Sequence, residues 1–167
     1  MELISKNCFK EYPLAKHSTL KVGGNAERAN IPKTIKEMAL IIGFQKTRGD
    51  KITVIGAGSN ILISSTGVSG AVILTKNLDS CELIDNTTIK SASGLKSTML
   101  SKFAHKNHLS GLEFLIGIPG LIGGAIYMNS GAHGQQIKDT IISADVFDLE
   151  TCSVVNFSKE KLGLDYR

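Results

Sequence analysis

Two glycine-rich segments carry the residue types that could handle an anionic or planar ligand. The first, Gly56-Ala57-Gly58-Ser59-Asn60, exposes bare backbone whose N–H groups can approach phosphate oxygens, and Ser59 and Asn60 add side-chain donors. It departs from the dinucleotide fingerprint G-x-G-x-x-G, because the third glycine position is Ile61 and the following residues read as a strand where that fingerprint needs a helix N-terminus. Taken alone it is either a diphosphate cradle or a plain glycine-rich turn between strands. The second segment, Gly117-Ile118-Pro119-Gly120-Leu121-Ile122-Gly123-Gly124, combines bare backbone, an apolar wall and a proline that can begin a helix. Free N–H groups at such a helix start can face an anion, and the missing side chains let a flat ring lie close. Close packing of helix on sheet would explain the same residues.

Other chemistries find little support. The histidines at 17, 105, 108 and 133 form no H-E-x-x-H pattern and have no nearby carboxylate pair, so no metal site is expected. Cys8, Cys81 and Cys152 are far apart and odd in number, which excludes a disulfide framework or a C-x-x-C site and points to a reducing cytoplasm. No G-x-S-x-G elbow or cysteine-nucleophile pattern occurs. Arg167, by composition, reads as a solvated surface group.

The elements that must position these segments follow from periodicity. Residues 52–55 are a β-branched run of strand type leading into the first glycine turn. Residues 61–63 and 71–74 read as the next strands, so the turn joins strand to strand. Upstream, Thr34-Ile35-Lys36-Glu37 is a capping box that starts a helix, with Ile35, Met38, Ala39 and Ile42 on one face and Arg48-Gly49-Asp50 closing it. Downstream, residues 81–84 and 87–90 flank Asp85-Asn86 as a hairpin whose two-residue turn suits positive φ. Residues 95–108 read as a helix with Met99, Leu100, Phe103 and Ala104 on one side and Ser110-Gly111 as its stop. Residues 141–148 and 152–157 form a second hairpin, and 158–161 a short polar helix. The single boundary hint lies between 76 and 80. The expected class is α+β, as two α/β subdomains over residues 1–77 and 78–167.

Composition agrees with a globular protein. The 167 residues are 42% hydrophobic and 20% charged, with 17 glycines and 3 prolines, which excludes long disorder and low-complexity linkers. Net charge is +4, but the cations are scattered singly, so no nucleic-acid partner is expected. Residues 1–10 lack the apolar run of a signal peptide. The uncharged stretch 114–132 is broken by Pro119 and five glycines and ends polar, so no membrane association is expected.

Three blocks read in order are more specific than either glycine segment. Tyr12-Pro-Leu-Ala-Lys-His-Ser-Thr-Leu-Lys-Val-Gly-Gly-Asn-Ala26, Val54-Ile-Gly-Ala-Gly-Ser-Asn-Ile-Leu-Ile63, and Gly111-Leu-Glu-Phe-Leu-Ile-Gly-Ile-Pro-Gly-Leu-Ile-Gly-Gly-Ala-Ile-Tyr-Met-Asn-Ser-Gly-Ala-His-Gly134 together resemble the UDP-N-acetylenolpyruvoylglucosamine reductase family. The resemblance runs from about Tyr12 to the terminal Tyr166-Arg167, which matches a Tyr-Arg pair of that family. It implies the FAD-binding fold of the vanillyl-alcohol oxidase and p-cresol methylhydroxylase type, with FAD held between two α/β subdomains. Gly56, Ala57, Gly58, Ser59 and Asn60 would then cradle the FAD diphosphate. Gly117, Ile118, Pro119, Gly120, Gly123, Gly124, Asn129 and Gly131 would line the cofactor from the second subdomain.

The resemblance also implies a reaction in which NADPH reduces the flavin and the flavin reduces the enolpyruvyl double bond of a UDP-sugar, giving UDP-N-acetylmuramate for peptidoglycan precursors in the cytoplasm. Arg167 matches the family arginine, whose planar, permanently charged fork would steady the substrate carboxylate as charge develops. The family's proton-donating serine and its glutamate partner belong to a further substrate domain and have no counterpart in these residues. The chain is accordingly expected to hold FAD but to be poorly active alone, or else to be a non-catalytic flavin- or nucleotide-binding remnant. Leu20, Ala57 and His133 depart from the usual family residues at their positions. Oligomeric state is not implied.

Overall fold

A computed structural model describes residues 8–165 of the chain. Two compact units divide at Leu78–Asp79.

The first unit is built on a four-stranded sheet. Its elements are β1 (Cys8–Pro13), β2 (Asn25–Asn30), α1 (Ile35–Thr47), β3 (Ile52–Ile55) and β4 (Val68–Leu74). Strand order is β1-β2-β4-β3, with β1 antiparallel to β2, and β2 and β3 each parallel to β4. The central strand β4 buries Ala71, Val72, Ile73 and Leu74 completely, as a strand covered on both faces must. Helix α1 begins at the expected N-cap, with the Glu37 N–H donating to Thr34 Oγ1 at 3.1 Å, but the return bond differs from a capping box: Glu37 Oε2 accepts from the Lys33 N–H at 2.8 Å, one residue before the cap.

The buried face of α1 differs from the expected one. It runs through Met38, Ile41, Ile42 and Gln45, beside Glu37, while Ile35 is 46% exposed. The stripe keeps its helical spacing but starts one turn later and ends on a polar residue. Gln45 is buried because its amide donates to Asn30 Oδ1, and Asn30 Nδ2 donates to the Val72 carbonyl.

Residues 61–63, expected as a strand, are irregular. Ile63 is buried in a cluster with Leu14, Ile55, Val72 and Leu74, while Leu62 is 76% exposed. Just beyond them the Ser64 carbonyl accepts from the Gly24 N–H at 2.8 Å, across to another loop, and from the Gly67 N–H at 2.9 Å within its own turn. The connection from β3 to its parallel neighbour β4 is thus one long packed loop.

The second unit contains β5 (Cys81–Leu83), β6 (Ile89–Ser91), α2 (Ser97–Lys106), a 3-10 turn at Glu113–Gly117, α3 (Ile122–Tyr127), β7 (Gly131–Ala132), β8 (Gln135–Gln136), α4 (Ile137–Thr140), β9 (Ser143–Asp148) and β10 (Ser153–Ser158). Leu95, Leu100, Phe114, Leu115, Ile118, Ile122, Ala125 and Ile137 form its core. Both expected hairpins are present, as β5–β6 and β9–β10.

Three local expectations are corrected in this unit. The β5–β6 turn is wider than two residues and has neither Asp85 nor Asn86 at positive φ. Ile84 N–H donates to the Thr88 carbonyl, and Asp85 Oδ1 accepts from the Thr87 N–H and hydroxyl, so an Asp-capped turn replaces the tight one. Helix α2 stops at Asn107 rather than at Gly111. His108 takes the left-handed conformation (φ 59°), and His108 N–H to His105 O and Leu109 N–H to Ala104 O close a Schellman motif. Met99 on α2 is half exposed. Residues 158–161 form no helix: β10 runs through Ser158, and a turn closes with Leu162 N–H donating to the Ser158 carbonyl. Among the described residues no helix is long and apolar enough to cross a membrane.

Candidate functional site

The first glycine segment leaves β3 directly after Ile55, at the carboxyl end of a strand that runs parallel to its neighbour. Ligands of α/β sheets gather at such ends. Ala57, Ser59 and Asn60 are exposed, Gly56 is half-buried and Gly58 is buried. Gly58 has φ +67°, and a Cβ there would overlap the carbonyl oxygen of His17. The Thr19 N–H donates to the Gly58 carbonyl at 3.1 Å. Residue 58 must therefore be glycine for a reason internal to the fold: the turn rests on the backbone of residues 17–19.

That supporting segment was not singled out as a site from sequence. Its side chains form a compact group. Tyr12 Oη and His17 Nε2 lie 3.0 Å apart, and their rings stack at 5.3 Å with a 29° tilt. The Lys16 ammonium stands 5.1 Å from the Tyr12 ring centre. Burial lowers the His17 pKa below its ordinary value, and the Lys76 and Lys16 cations lower it further. Ser18, nearly buried, donates from its hydroxyl to the Ala15 and Val22 carbonyls. The sequence signal for this group is its place within residues 12–26, the segment that also contains Gly23 and Gly24.

In the second unit the expected proline-led helix start is not formed. Pro119 lies three residues before Ile122, where α3 begins. The first two helical amides are not free either: Ile122 N–H donates to Leu95 O at 2.9 Å and Gly123 N–H to Ser93 O at 2.8 Å. The turn before α2 folds over this helix end and satisfies it, so anion binding by those two amides is excluded. Gly120 has φ +127°, and its carbonyl accepts from the Ser97 N–H. Ile118 is a core residue, and Pro119 is exposed.

The remaining residues of this segment divide by what surrounds them. A Cβ on Gly123 would come within 2.8 Å of Ser93 Cβ, and one on Gly131 within 2.6 Å of the Gln135 carbonyl, so both serve close packing. A Cβ on Gly117 would make near-contact with Ala132 and His133 at 3.4 Å. Gly124 has nothing within 4 Å of that position and lies exposed, next to an 87% exposed Tyr127 one turn on. Asn129 is 2% exposed at φ 42°. Its Nδ2 donates to Gln136 Oε1 and its Oδ1 accepts from the Lys138 N–H, so it ties the β7–β8 hairpin to α4. Arg167 lies outside the described residues. Among the described residues no group of three or more His, Cys, Asp or Glu is placed to hold a metal ion.

Comparison with known proteins bears on both glycine segments. The family described as "FAD binding domain" matches residues 26–158. A UDP-N-acetylenolpyruvoylglucosamine reductase of Caldicellulosiruptor saccharolyticus is 36% identical over the whole chain, which spans 53% of that protein. The crystal structure of UDP-N-acetylenolpyruvylglucosamine reductase from Thermus caldophilus superposes with a TM-score of 0.74 at 30% identity, over 93% of this chain and 54% of that one. A 6-hydroxy-D-nicotine oxidase from Arthrobacter nicotinovorans, at 21% identity, shares the fold with a TM-score of 0.63, over 81% of this chain and 31% of that one. The chain thus spans about half the length of the curated relatives it matches.

Proposed function

Since the chain belongs to the FAD-binding-domain family and has the α+β fold of vanillyl-alcohol oxidase-type flavoproteins, we propose that it is the flavin-holding part of a UDP-N-acetylenolpyruvoylglucosamine reductase. What carries the reading is that the matched region contains both glycine segments, with residues 56–60 at the carboxyl end of a parallel strand.

The residues present fit FAD. The turn Gly56, Ala57, Gly58, Ser59 and Asn60 is held in shape by residues 17–19 and presents exposed backbone and hydroxyl donors suited to a diphosphate. Gly124 offers open space against bare backbone, which a planar ring could use. On the same reading Gly117, Ile118, Pro119, Gly120, Gly123, Asn129 and Gly131 are assigned to the cofactor's surroundings. When bound, the flavin supplies two-electron transfer, with NADPH as the electron source and the enolpyruvyl UDP-sugar as acceptor. The chain's own residues hold and orient the cofactor. Arg167 is assigned to the substrate carboxylate, where a guanidinium fork stabilises developing negative charge. The setting is cytoplasmic synthesis of a peptidoglycan precursor.

The test is the visible spectrum of the purified chain, with released cofactor quantified against protein. Near-stoichiometric FAD, or its uptake on addition, is the expected result. A folded, colourless chain that refuses added FAD would overturn the reading.

A further inference from the structure

The turn at Gly58 is braced by a segment far from it in sequence, and that brace is itself locked. His17 N–H donates to the Leu14 carbonyl at 2.8 Å, Leu14 is fully buried in the core, and Ser18 is pinned at both ends of its own turn. The side-chain lock is the Tyr12–His17 pair, joined by a 3.0 Å hydrogen bond and a ring stack. Tyr12 is partly buried against the core that contains Leu14, so the pair ties the brace to the sheet. The backbone it fixes at residues 17–19 touches Gly58 twice, by close approach at His17 and by the Thr19 to Gly58 hydrogen bond.

We propose that Tyr12 and His17 are positioning residues for the Gly56–Asn60 turn, setting its shape for the diphosphate of the cofactor without touching the cofactor themselves. The inference rests on the FAD reading above. A turn that offers backbone donors to a diphosphate gains affinity from being held in its bound shape before the ligand arrives, because less ordering is left for the binding step. The hydrogen bond is a neutral one: burial and two neighbouring lysines disfavour a charged His17. Its loss leaves the ring stack and the core intact, so stability and affinity can be separated.

The experiment uses the full 167-residue chain, titrated with FAD and followed by flavin fluorescence, with ADP as a competitor that carries the diphosphate without the flavin. Y12F removes only the hydroxyl, H17L removes the partner, and H17Q retains a group able to bond Tyr12. Y12F and H17L are expected to raise the FAD dissociation constant several-fold, because the turn must then be ordered as the ligand binds, and to weaken ADP by the same factor. H17Q is expected to recover most of that loss. Melting of the cofactor-free Y12F chain is expected to stay within about 4 °C of the parent, no more than one partly buried hydrogen bond contributes in a chain of this length.

Unchanged FAD affinity in Y12F overturns the proposal, as does a loss for FAD without a loss for ADP, or a loss that H17Q does not recover. Should H17L fail to fold, Y12F and H17Q decide between the same outcomes. A parent chain that takes up no FAD instead refutes the flavin reading itself.

Discussion

Gly58 and Gly124 are the same residue type kept for opposite reasons. At 58 a methyl group would strike the His17 carbonyl from a left-handed backbone, whereas at 124 it would enter open space within a helix. Gly58→Ala is therefore expected to destabilise the chain by about 2–4 kcal/mol, from left-handed strain and overpacking together, measurable as a lower urea midpoint. Gly124→Ala is expected to leave stability equal or up to about 1 kcal/mol higher, since alanine suits a helix better than glycine. On the FAD reading the same change weakens flavin binding, and equal affinity would remove Gly124 from the site. His108 poses the inverse case, a branched ring at a left-handed helix stop with an exposed side chain. His108→Gly is expected to stabilise by about 1 kcal/mol, seen as a raised melting temperature. The sequence showed Gly111 as the stop because glycine is the usual residue there; the hydrogen bonds to His105 and Ala104 chose His108.

Between elements, the β2–β4 ladder carries an irregularity that only three dimensions reveal. The register shifts between Ala26 and Arg28, and Gly70 of β4 sits there at φ +79°. Its N–H donates to Glu27 Oε2 at 2.8 Å, while Arg28 pairs with Asp50 through two contacts of 2.6 and 3.0 Å. The Gly70 amide, followed by Arg28, holds the Glu27 carboxyl below the usual range. Its pKa being depressed, this contribution is present above the unfolded-state value and lost as pH falls through the folded one. Acid unfolding below about pH 4.5 should thus be shallower in Glu27→Gln, and an unchanged profile would dismiss the coupling. The α1–sheet contact has its own weak point, the buried Gln45, whose Oε1 lacks a hydrogen-bond partner. Gln45→Glu places a charge there and is expected to cost roughly 3–5 kcal/mol at neutral pH, the deficit shrinking as acid protonates it. Denaturant melts at two pH values measure this.

At the scale of the whole molecule, each unit closes its own hydrophobic cluster, one around Leu14, Val72 and Leu74 and one around Leu100, Leu115 and Ile118. If FAD binds the native chain alone, adding it at about 100 times its dissociation constant should stabilise the fold by about 2.7 kcal/mol, read as a rise in melting temperature. No rise would argue against a native cofactor site. Much of this architecture was legible in the linear chain. The helix start at Thr34, the β-branched runs of β3 and β4, both hairpins and the order of the three blocks all depend on neighbours in sequence, where local propensity and spacing act. The family likeness rested on those blocks and is matched by relatives across the whole chain. Tertiary structure decided what spacing cannot encode. It buried Gln45 in place of Ile35 because the Asn30 side chain on the sheet was there to receive it, and left residues 61–63 irregular, with Ile63 buried in the core and Leu62 exposed. It also closed the amides of α3 with carbonyls from residues 93 and 95, and set Gly58 against His17. Each of these outcomes turns on which groups meet from distant segments, and that is settled only when the chain has folded.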